Sequence, residues 1–126
     1  MTILLNPKKH KRYYPDEKSK EIMLKTIEFF ENKGRAKIKE DDREGVWYSD
    51  FLEFQKNNKI FAHLLTPSQY GEDDNYRWDT WRICEFNEIL AFYGLSYWYT
   101  WQVSILGLGP IWMSKNEKAK EKAAKL

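Results

Sequence analysis

Residues 95–106 limit the possible folds more than any other segment, because they are apolar on every side of a helical wheel and carry no charge. Their only polar side chains belong to two serines, one threonine and one glutamine. A helix with this pattern is typical of a protein interior. Its Tyr, Trp, Val and Ile residues also favour strands, but the segment does not alternate and no neighbour has the pattern of a pairing strand. We therefore predict a helix that is buried on all sides.

Apolar residues at helical spacing predict further helices along the chain. The first covers residues 16–33, carries an apolar stripe and ends at Gly34, and a later one covers residues 79–93 and ends at Gly94. A shorter helix is predicted from Ser49, as its N-cap, to about residue 58. The stripe of the first helix consists of Ile22, Met23, Ile27 and Phe30.

Polar residues, proline and glycine predict the connections between these helices. Residues 35–45 are rich in charge and predict a loop. In the segment 64–71, with the sequence LLTPSQYG, Pro67 is expected to end an apolar stretch and Gly71 to adopt a positive φ.

A last helix is expected near the C-terminal end of the sequence. Pro110 suits the first position of a new turn after the apolar segment. Ser114 and Glu117 have the spacing of a capping box, which predicts a lysine-rich helix from Lys115 onward. These patterns together predict an all-α fold, a small bundle of about five helices. Because no stop signal follows the last helix, we expect the sequence to be cut from a longer polypeptide.

The composition excludes several classes of protein. A chain of 126 residues fits one domain, and its single cysteine, Cys84, cannot form an internal disulfide. The two histidines, His10 and His63, lie too far apart in sequence to indicate a metal site. No apolar run approaches the roughly 20 residues that span a bilayer, and the first residues reverse the order of a secretory signal. We therefore expect a cytoplasmic protein with no metal and no membrane span.

Charges and aromatic residues are distributed unevenly. The net charge of +2 gives no overall argument for a nucleic-acid partner, but residues 1–14 are strongly basic. They predict a basic terminal arm before a helical domain over residues 15–126. The sequence contains 6 Trp, 8 Tyr and 7 Phe, and each ring buries roughly 150 to 250 Å². A small interior covers few such rings, so we expect another domain or another copy, as in a homo-oligomer, to cover some of them.

Two short motifs, in their order and separation, resemble the amino-terminal α-helical domain of the acyl-CoA dehydrogenase family. That family has a Pro-x-x-Tyr-Gly-Gly loop, which is matched here by Pro67, Tyr70 and Gly71. It also has a Pro-Ile turn followed by a Gly-Thr-Glu-Glu-Gln-Lys helix start. Parts of this second motif are matched here by Pro110, Ile111, Glu117 and Lys118. Ser114 stands in place of the capping Thr. The order agrees over roughly residues 15–126.

Two positions depart from the family pattern. Glu72 replaces the second glycine of the loop, and Met113 replaces the glycine before the last helix. These departures indicate a divergent branch and leave the identity of the substrate open.

The resemblance implies an enzyme that oxidises the α,β bond of an acyl-CoA thioester, with FAD as hydride acceptor and an electron-transfer flavoprotein as electron acceptor. In the family, a central β domain and a carboxy-terminal helical domain carry most FAD contacts and the catalytic glutamate, and both would lie beyond Leu126. We therefore expect no catalytic residue in this chain, and no activity or bound flavin when it is isolated. Glu85 and Glu88 are acids inside an apolar helix, but no oxyanion donors or second titrating group accompany them, so we assign neither as a base.

The resemblance also implies a substrate-binding face. Aligned through Pro110, the helix of the family that contacts the acyl chain falls on Tyr99, Gln102, Val103 and Leu106, which share one helix face. The opposite face holds Trp98, Trp101 and Ile105. The alternative is that all seven residues are plain core. Gln102 separates the two interpretations, because a polar side chain in a core needs a hydrogen-bond partner.

Two other functions remain open on the sequence alone. A stand-alone helical domain would use its aromatic faces to bind a partner protein. A nucleic-acid module would use the basic ends of the chain, with Tyr13 and Tyr14 stacking on bases.

Overall fold

The structure is a computed structural model that describes residues 6–9 and 13–125, and over these residues it contains α-helices and no strand. The all-α prediction is confirmed, with seven α-helices in the described chain in place of about five. The helices are α1 (Glu17–Lys33), α2 (Arg35–Glu44), α3 (Ser49–Asn57), α4 (Ile60–Leu65), α5 (Thr80–Tyr93), α6 (Leu95–Met113) and α7 (Glu117–Ala124). A short 3₁₀ turn at Ser68–Tyr70 lies between α4 and α5.

The core lies where α1, α5 and α6 pack together, with α3 closing one side. Phe30 of α1 stacks on Tyr93 of α5 at 4.8 Å between ring centroids, and it meets Tyr97 of α6 edge-on at 5.0 Å. Phe51 of α3 joins the same cluster at 5.4 Å from Phe30. Four helices therefore share one aromatic centre, and the predicted stripe of α1 is buried in it.

A buried guanidinium connects the start of α1 to the middle of the chain. Arg82 of α5 is 1% exposed and donates to Ser19 Oγ at 2.8 Å and to Asp16 Oδ1 at 3.0 Å. It also donates to the backbone oxygens of Asn75 at 2.6 Å and His63 at 3.3 Å. The arginine thus fixes α1, the end of α4 and the loop before α5 relative to one another.

The prediction of a loop over residues 35–45 is wrong, because α2 occupies Arg35–Glu44. Lys37 pairs with Glu40 at 2.9 Å and with Asp41 at 3.0 Å, and such i,i+3 and i,i+4 pairs stabilise a helix. Ile38 turns inward and is buried. The helix ends at Gly45, whose φ of 66° lies in the left-handed region that glycine adopts without strain.

The apolar segment also extends further than predicted, since α6 continues through Pro110 to Met113. Pro110 removes one backbone donor and leaves the carbonyl of Leu106 without its partner in the helix. Past the proline, Trp112 donates from Nε1 to the backbone oxygen of Leu65 at 2.9 Å and stacks on Tyr70. These contacts anchor the last turn of α6 against the rest of the bundle.

The capping predictions for α3 and α7 are wrong in detail. Ser49 is the first residue of α3 and makes no capping hydrogen bond. Asn116, and not Ser114, caps α7, because its side chain accepts from Ala119 N at 3.1 Å. Ser114 instead donates to the backbone oxygen of Ile111 at the end of α6.

The loop after α4 needs glycine for a reason other than the predicted one. Gly71 has a φ of −85°, so it does not adopt the positive φ expected from the sequence. A Cβ atom at this position would lie 2.2 Å from Tyr76 Cβ, so no larger residue fits without movement of the backbone.

Part of the predicted basic arm, residues 1–5 and 10–12, lies outside the described residues, whereas Lys8 pairs with Glu31 of α1 at 2.9 Å.

The contacts of Asp16 predict how stability depends on pH. Burial alone would raise the pKa of this carboxyl, but the hydrogen bonds from Ser19 and Arg77 and the charge of Arg82 outweigh it and hold the pKa well below its usual range. A carboxyl with a lowered pKa stabilises the fold above its unfolded pKa of about 3.9, and this contribution is lost as the pH falls below that value.

We expect Asp16→Asn to lower the free energy of unfolding by about 3 kcal/mol at pH 7, because Arg82 would stay buried without its counter-charge. The difference from the unchanged chain should shrink as the pH falls below about 4. Urea denaturation at a series of pH values measures both effects. Glu17→Gln is the matched control, since the Glu17 side chain is 90% exposed and its substitution should change little. A constant difference between the unchanged chain and Asp16→Asn at all pH values would contradict this assignment.

Candidate functional site

One face of α6 is exposed, although the sequence predicts burial on all sides. Leu95, Tyr99 and Leu106 are 67%, 63% and 62% exposed, and Val103 is 43% exposed. Trp101, on the opposite side, is fully buried. The prediction fails because α5 and the rings of Phe30, Phe51 and Phe61 cover only one side of α6 and leave its other side open.

The exposed face borders an open groove of about 670 Å³. One wall comes from the first half of α6, and the other comes from the connection between α2 and α3 and from α3 itself. The residues that line the groove are Trp47, Tyr48, Leu52, Leu95, Ser96, Trp98, Tyr99, Thr100 and Val103. The sequence analysis did not find the second wall, although the run Val46, Trp47, Tyr48 directly after Gly45 is an apolar signal in a polar region.

The lining of the groove is uncharged and mostly apolar. Ser96 Oγ donates to Asp42 Oδ1 at 3.1 Å, and Thr100 Oγ1 donates to the backbone oxygen of Tyr97 at 2.8 Å, so both hydroxyls are already engaged. No acid, lysine, arginine, histidine or cysteine is among the lining residues that the structure describes. The groove is therefore suited to hold an apolar group and offers no acid, base or strong nucleophile for chemistry.

An ion cluster behind the groove holds its second wall in place. Lys33, at the end of α1, donates to Asp41 of α2 at 2.9 Å and to Asp50 of α3 at 2.6 Å. Burial would lower the pKa of Lys33, but the two carboxylates outweigh it and raise that pKa. The ammonium group also lies 5.5 Å from the centre of the Tyr97 ring. The cluster thereby ties α1, α2 and α3 to α6 next to the groove.

The structure brings together two of the four residues predicted to bind substrate. Tyr99 and Val103 line the groove, whereas Gln102 is half-buried and Leu106 is exposed, and neither is part of the lining. The alternative of a plain core is wrong for the three exposed residues, Tyr99, Val103 and Leu106.

The residues predicted on the opposite face divide into two groups. Trp101 is core, and Ile105 packs against the core. Trp98 also contacts the core, but one of its sides lines the groove, so it does not belong wholly to the opposite face.

The other candidate residues lie away from the groove. Glu88 is exposed and Glu85 half-buried on α5, and neither lines it. His63 is buried beside Tyr76, with its Nδ1 2.8 Å from the backbone oxygen of Lys59.

Among residues 6–9 and 13–125, no group of three or more His, Cys, Asp or Glu is placed to hold a metal ion. In that same part of the chain, no helix combines the length and apolarity needed to cross a membrane.

Comparison of the chain with protein-family models, with characterised proteins and with solved structures returns no match.

The two sides of α6 should respond differently to truncation. We expect Trp101→Ala to lower the free energy of unfolding by about 3 to 5 kcal/mol, because it removes a fully buried ring. Tyr99→Ala should change it by less than about 1 kcal/mol, because that ring is mostly exposed. Guanidinium denaturation followed by circular dichroism measures both values. Equal losses would show that Tyr99 is part of the core.

Proposed function

We propose that this chain is the amino-terminal helical domain of a FAD-dependent acyl-CoA dehydrogenase, and that α6 forms a wall of its acyl-chain pocket. The observation that carries the proposal is the position of Tyr99 and Val103. The resemblance aligns these residues with the family's chain-contacting helix, and both line an uncharged groove. Pro110, through which the alignment runs, lies eleven residues after Tyr99 and seven after Val103, so the alignment selected these two positions without reference to the groove.

Contact between the two motifs supports the same proposal. Tyr70 of the Pro-x-x-Tyr-Gly motif stacks on Trp112 at 5.5 Å between ring centroids, and its hydroxyl donates to Glu117 of the second motif. Residues that lie 47 positions apart therefore form one junction between the loop, α6 and α7. The junction fixes the end of α6 relative to the loop, so the register of the acyl wall depends on both motifs.

The role proposed for these residues is binding and exclusion of water. Each methylene transferred from water to an apolar surface contributes up to about 0.8 kcal/mol to binding. The hydroxyls of Ser96 and Thr100 already donate hydrogen bonds within the chain, so they favour water in the groove only weakly. We assign the groove to the acyl chain and not to FAD, because none of the side chains in its described lining is cationic and could pair with a pyrophosphate. FAD, the catalytic base, the electron-transfer flavoprotein and a cytoplasmic location belong to the whole enzyme that we propose.

A stand-alone protein-interaction domain is the second candidate, favoured by apolar exposure outside the groove. Met113 is 87% exposed and Leu106 62%, and neither lines the groove. A partner protein would cover both, whereas an acyl chain in the groove would leave them in water.

Titration of the chain with saturated acyl-CoAs tests the proposed function. Trp47 and Trp98 line the groove, so their fluorescence should change as an acyl chain enters. We expect affinity to rise by up to about fourfold per methylene until the groove is filled. Coenzyme A alone should produce no change. Equal affinities for coenzyme A and long acyl-CoAs would contradict the proposal.

Replacing Tyr99 tests the acyl wall itself. Because Tyr99→Ala removes a bulky ring from the lining, the chain length at which affinity stops rising should increase, and in the full-length enzyme kcat/KM should shift toward longer or bulkier acyl groups. Leu24→Ala is the matched control, since Leu24 is an exposed apolar residue of α1 that does not line the groove. An unchanged profile for Tyr99→Ala would show that this ring does not limit the acyl chain.

A further inference from the structure

We propose that two copies of this chain pair through the exposed face of α6, antiparallel and with Val103 at the two-fold axis. The pairing concerns the 126-residue chain itself. It goes beyond the proposed function and rests on separate observations: the area, shape and charge of the exposed face.

The exposed apolar area is large enough for a stable dimer. Leu95, Tyr99, Leu106 and Met113 are each more than 60% exposed, and Trp47 beside them is 67% exposed. With Val103, these side chains offer on the order of 700 Å² per copy, and a standard interface buries about 800 Å² on each partner. A patch of this size seldom remains in contact with water. Since α6 carries no charged side chain, a surface that covers it must itself be uncharged, and a second α6 meets this condition.

The shape of the face is self-complementary in the antiparallel arrangement. With Val103 at the axis, the partner's Tyr99 lies opposite Gly107, four residues to the other side. A Cβ atom at Gly107 would meet nothing within 4 Å, so open space faces the bulky ring. Leu95 lies opposite the partner's Ile111, the residue that follows Pro110. By symmetry, the Tyr99 ring of each copy faces Gly107 of the other, on both sides of the axis.

Charge favours the antiparallel over the parallel orientation. Residues 41–53 flank the N-terminal end of α6, and their five acids and one arginine give a net charge of −4. Three lysines lie beside them and reduce the net charge of this end to −1: Lys33, Lys37 and Lys39. Residues 115–125, at the other end, carry five lysines and two glutamates, a net charge of +3. Antiparallel pairing brings these unlike ends together and opposes the two helix dipoles, whereas parallel pairing would bring the lysine-rich ends together.

Sedimentation across a range of concentrations tests whether the chain pairs through this face. The unchanged chain should shift from monomer to dimer, and Val103→Asp should weaken the dimer at least about tenfold, because two carboxylates would meet at the axis. Leu24→Asp is the matched control, since Leu24 is 47% exposed against 43% for Val103 but lies on α1. Circular dichroism should show that both variants fold. A chain that stays monomeric, or equal effects of the two substitutions, would overturn the proposal.

Cysteine cross-linking tests the orientation. In a background of Cys84→Ser, which removes the exposed native thiol, Val103→Cys should form a disulfide-linked dimer, because a residue at the axis meets its own copy. Leu95→Cys should not, since in the antiparallel arrangement it faces the other end of the partner helix. Cross-linking of both variants would indicate parallel pairing and overturn the proposal.

A membrane surface is another possible occupant of the exposed face, and a separate measurement distinguishes it from a second copy. Flotation with vesicles of anionic phospholipid should show no binding of the unchanged chain, and binding that Val103→Asp abolishes would assign the face to a membrane in place of a second copy. All these measurements omit acyl-CoA. Failure to pair therefore leaves the proposed function untouched, and failure to bind acyl-CoA leaves the pairing untouched.

Discussion

The buried guanidinium of Arg82 is the interaction on which the arrangement of the other helices depends. It holds the N-cap of α1 through Asp16 and Ser19, and it satisfies backbone carbonyls from α4 and from the loop before α5. Taking a guanidinium out of water is costly unless its donors are all used, so the chain segments around it cannot move independently. With α1 fixed against α5 in this way, Phe30 reaches Tyr97 and sets the side of α6 that is buried.

Because α6 is covered on one side only, its other side leaves apolar side chains exposed. The helix is apolar all round, as is typical of an interior helix, yet four of its apolar side chains remain more than 60% exposed. The ion cluster at Lys33 places α2 and α3 along only the first half of the exposed face, where they form the second wall of the groove. The second half stays open, so the described chain has more apolar surface than its own core covers.

Periodicity in the sequence was enough to predict α1 and α5, because their apolar residues repeat at helical spacing and a glycine follows each, whereas the first part of α6 was predicted from apolar residues on all sides of the helical wheel. It missed α2, whose stability comes from ion pairs around Lys37 and from one inward residue, Ile38, and so shows no apolar stripe. It also ended α6 at the glycines before Pro110, since the contacts of Trp112 that hold the last turn are tertiary.

The candidate site, like the fold, was predicted from the sequence only in part. The motif order selected Tyr99 and Val103, which line the groove, but it also selected Leu106, which faces water beyond it. No pattern on α6 could reveal Trp47 and Leu52, because their place opposite Tyr99 depends on how α2 and α3 fold back.

The two proposals use the same face, and this links them thermodynamically. Tyr99 and Val103 line the groove and also lie at the centre of the inferred pairing, so an acyl chain and a second copy cannot both cover them. A ligand that binds only the monomer shifts the equilibrium away from the dimer, and by reciprocity pairing weakens binding of the ligand by the same factor. Leu106 and Met113 lie outside the groove, so an acyl chain leaves them exposed and relieves only part of the apolar surface. The competition is therefore decided by how much of α6 each occupant covers: a second copy covers the full length of the helix, and an acyl chain must offset that larger area with its closer fit to the groove.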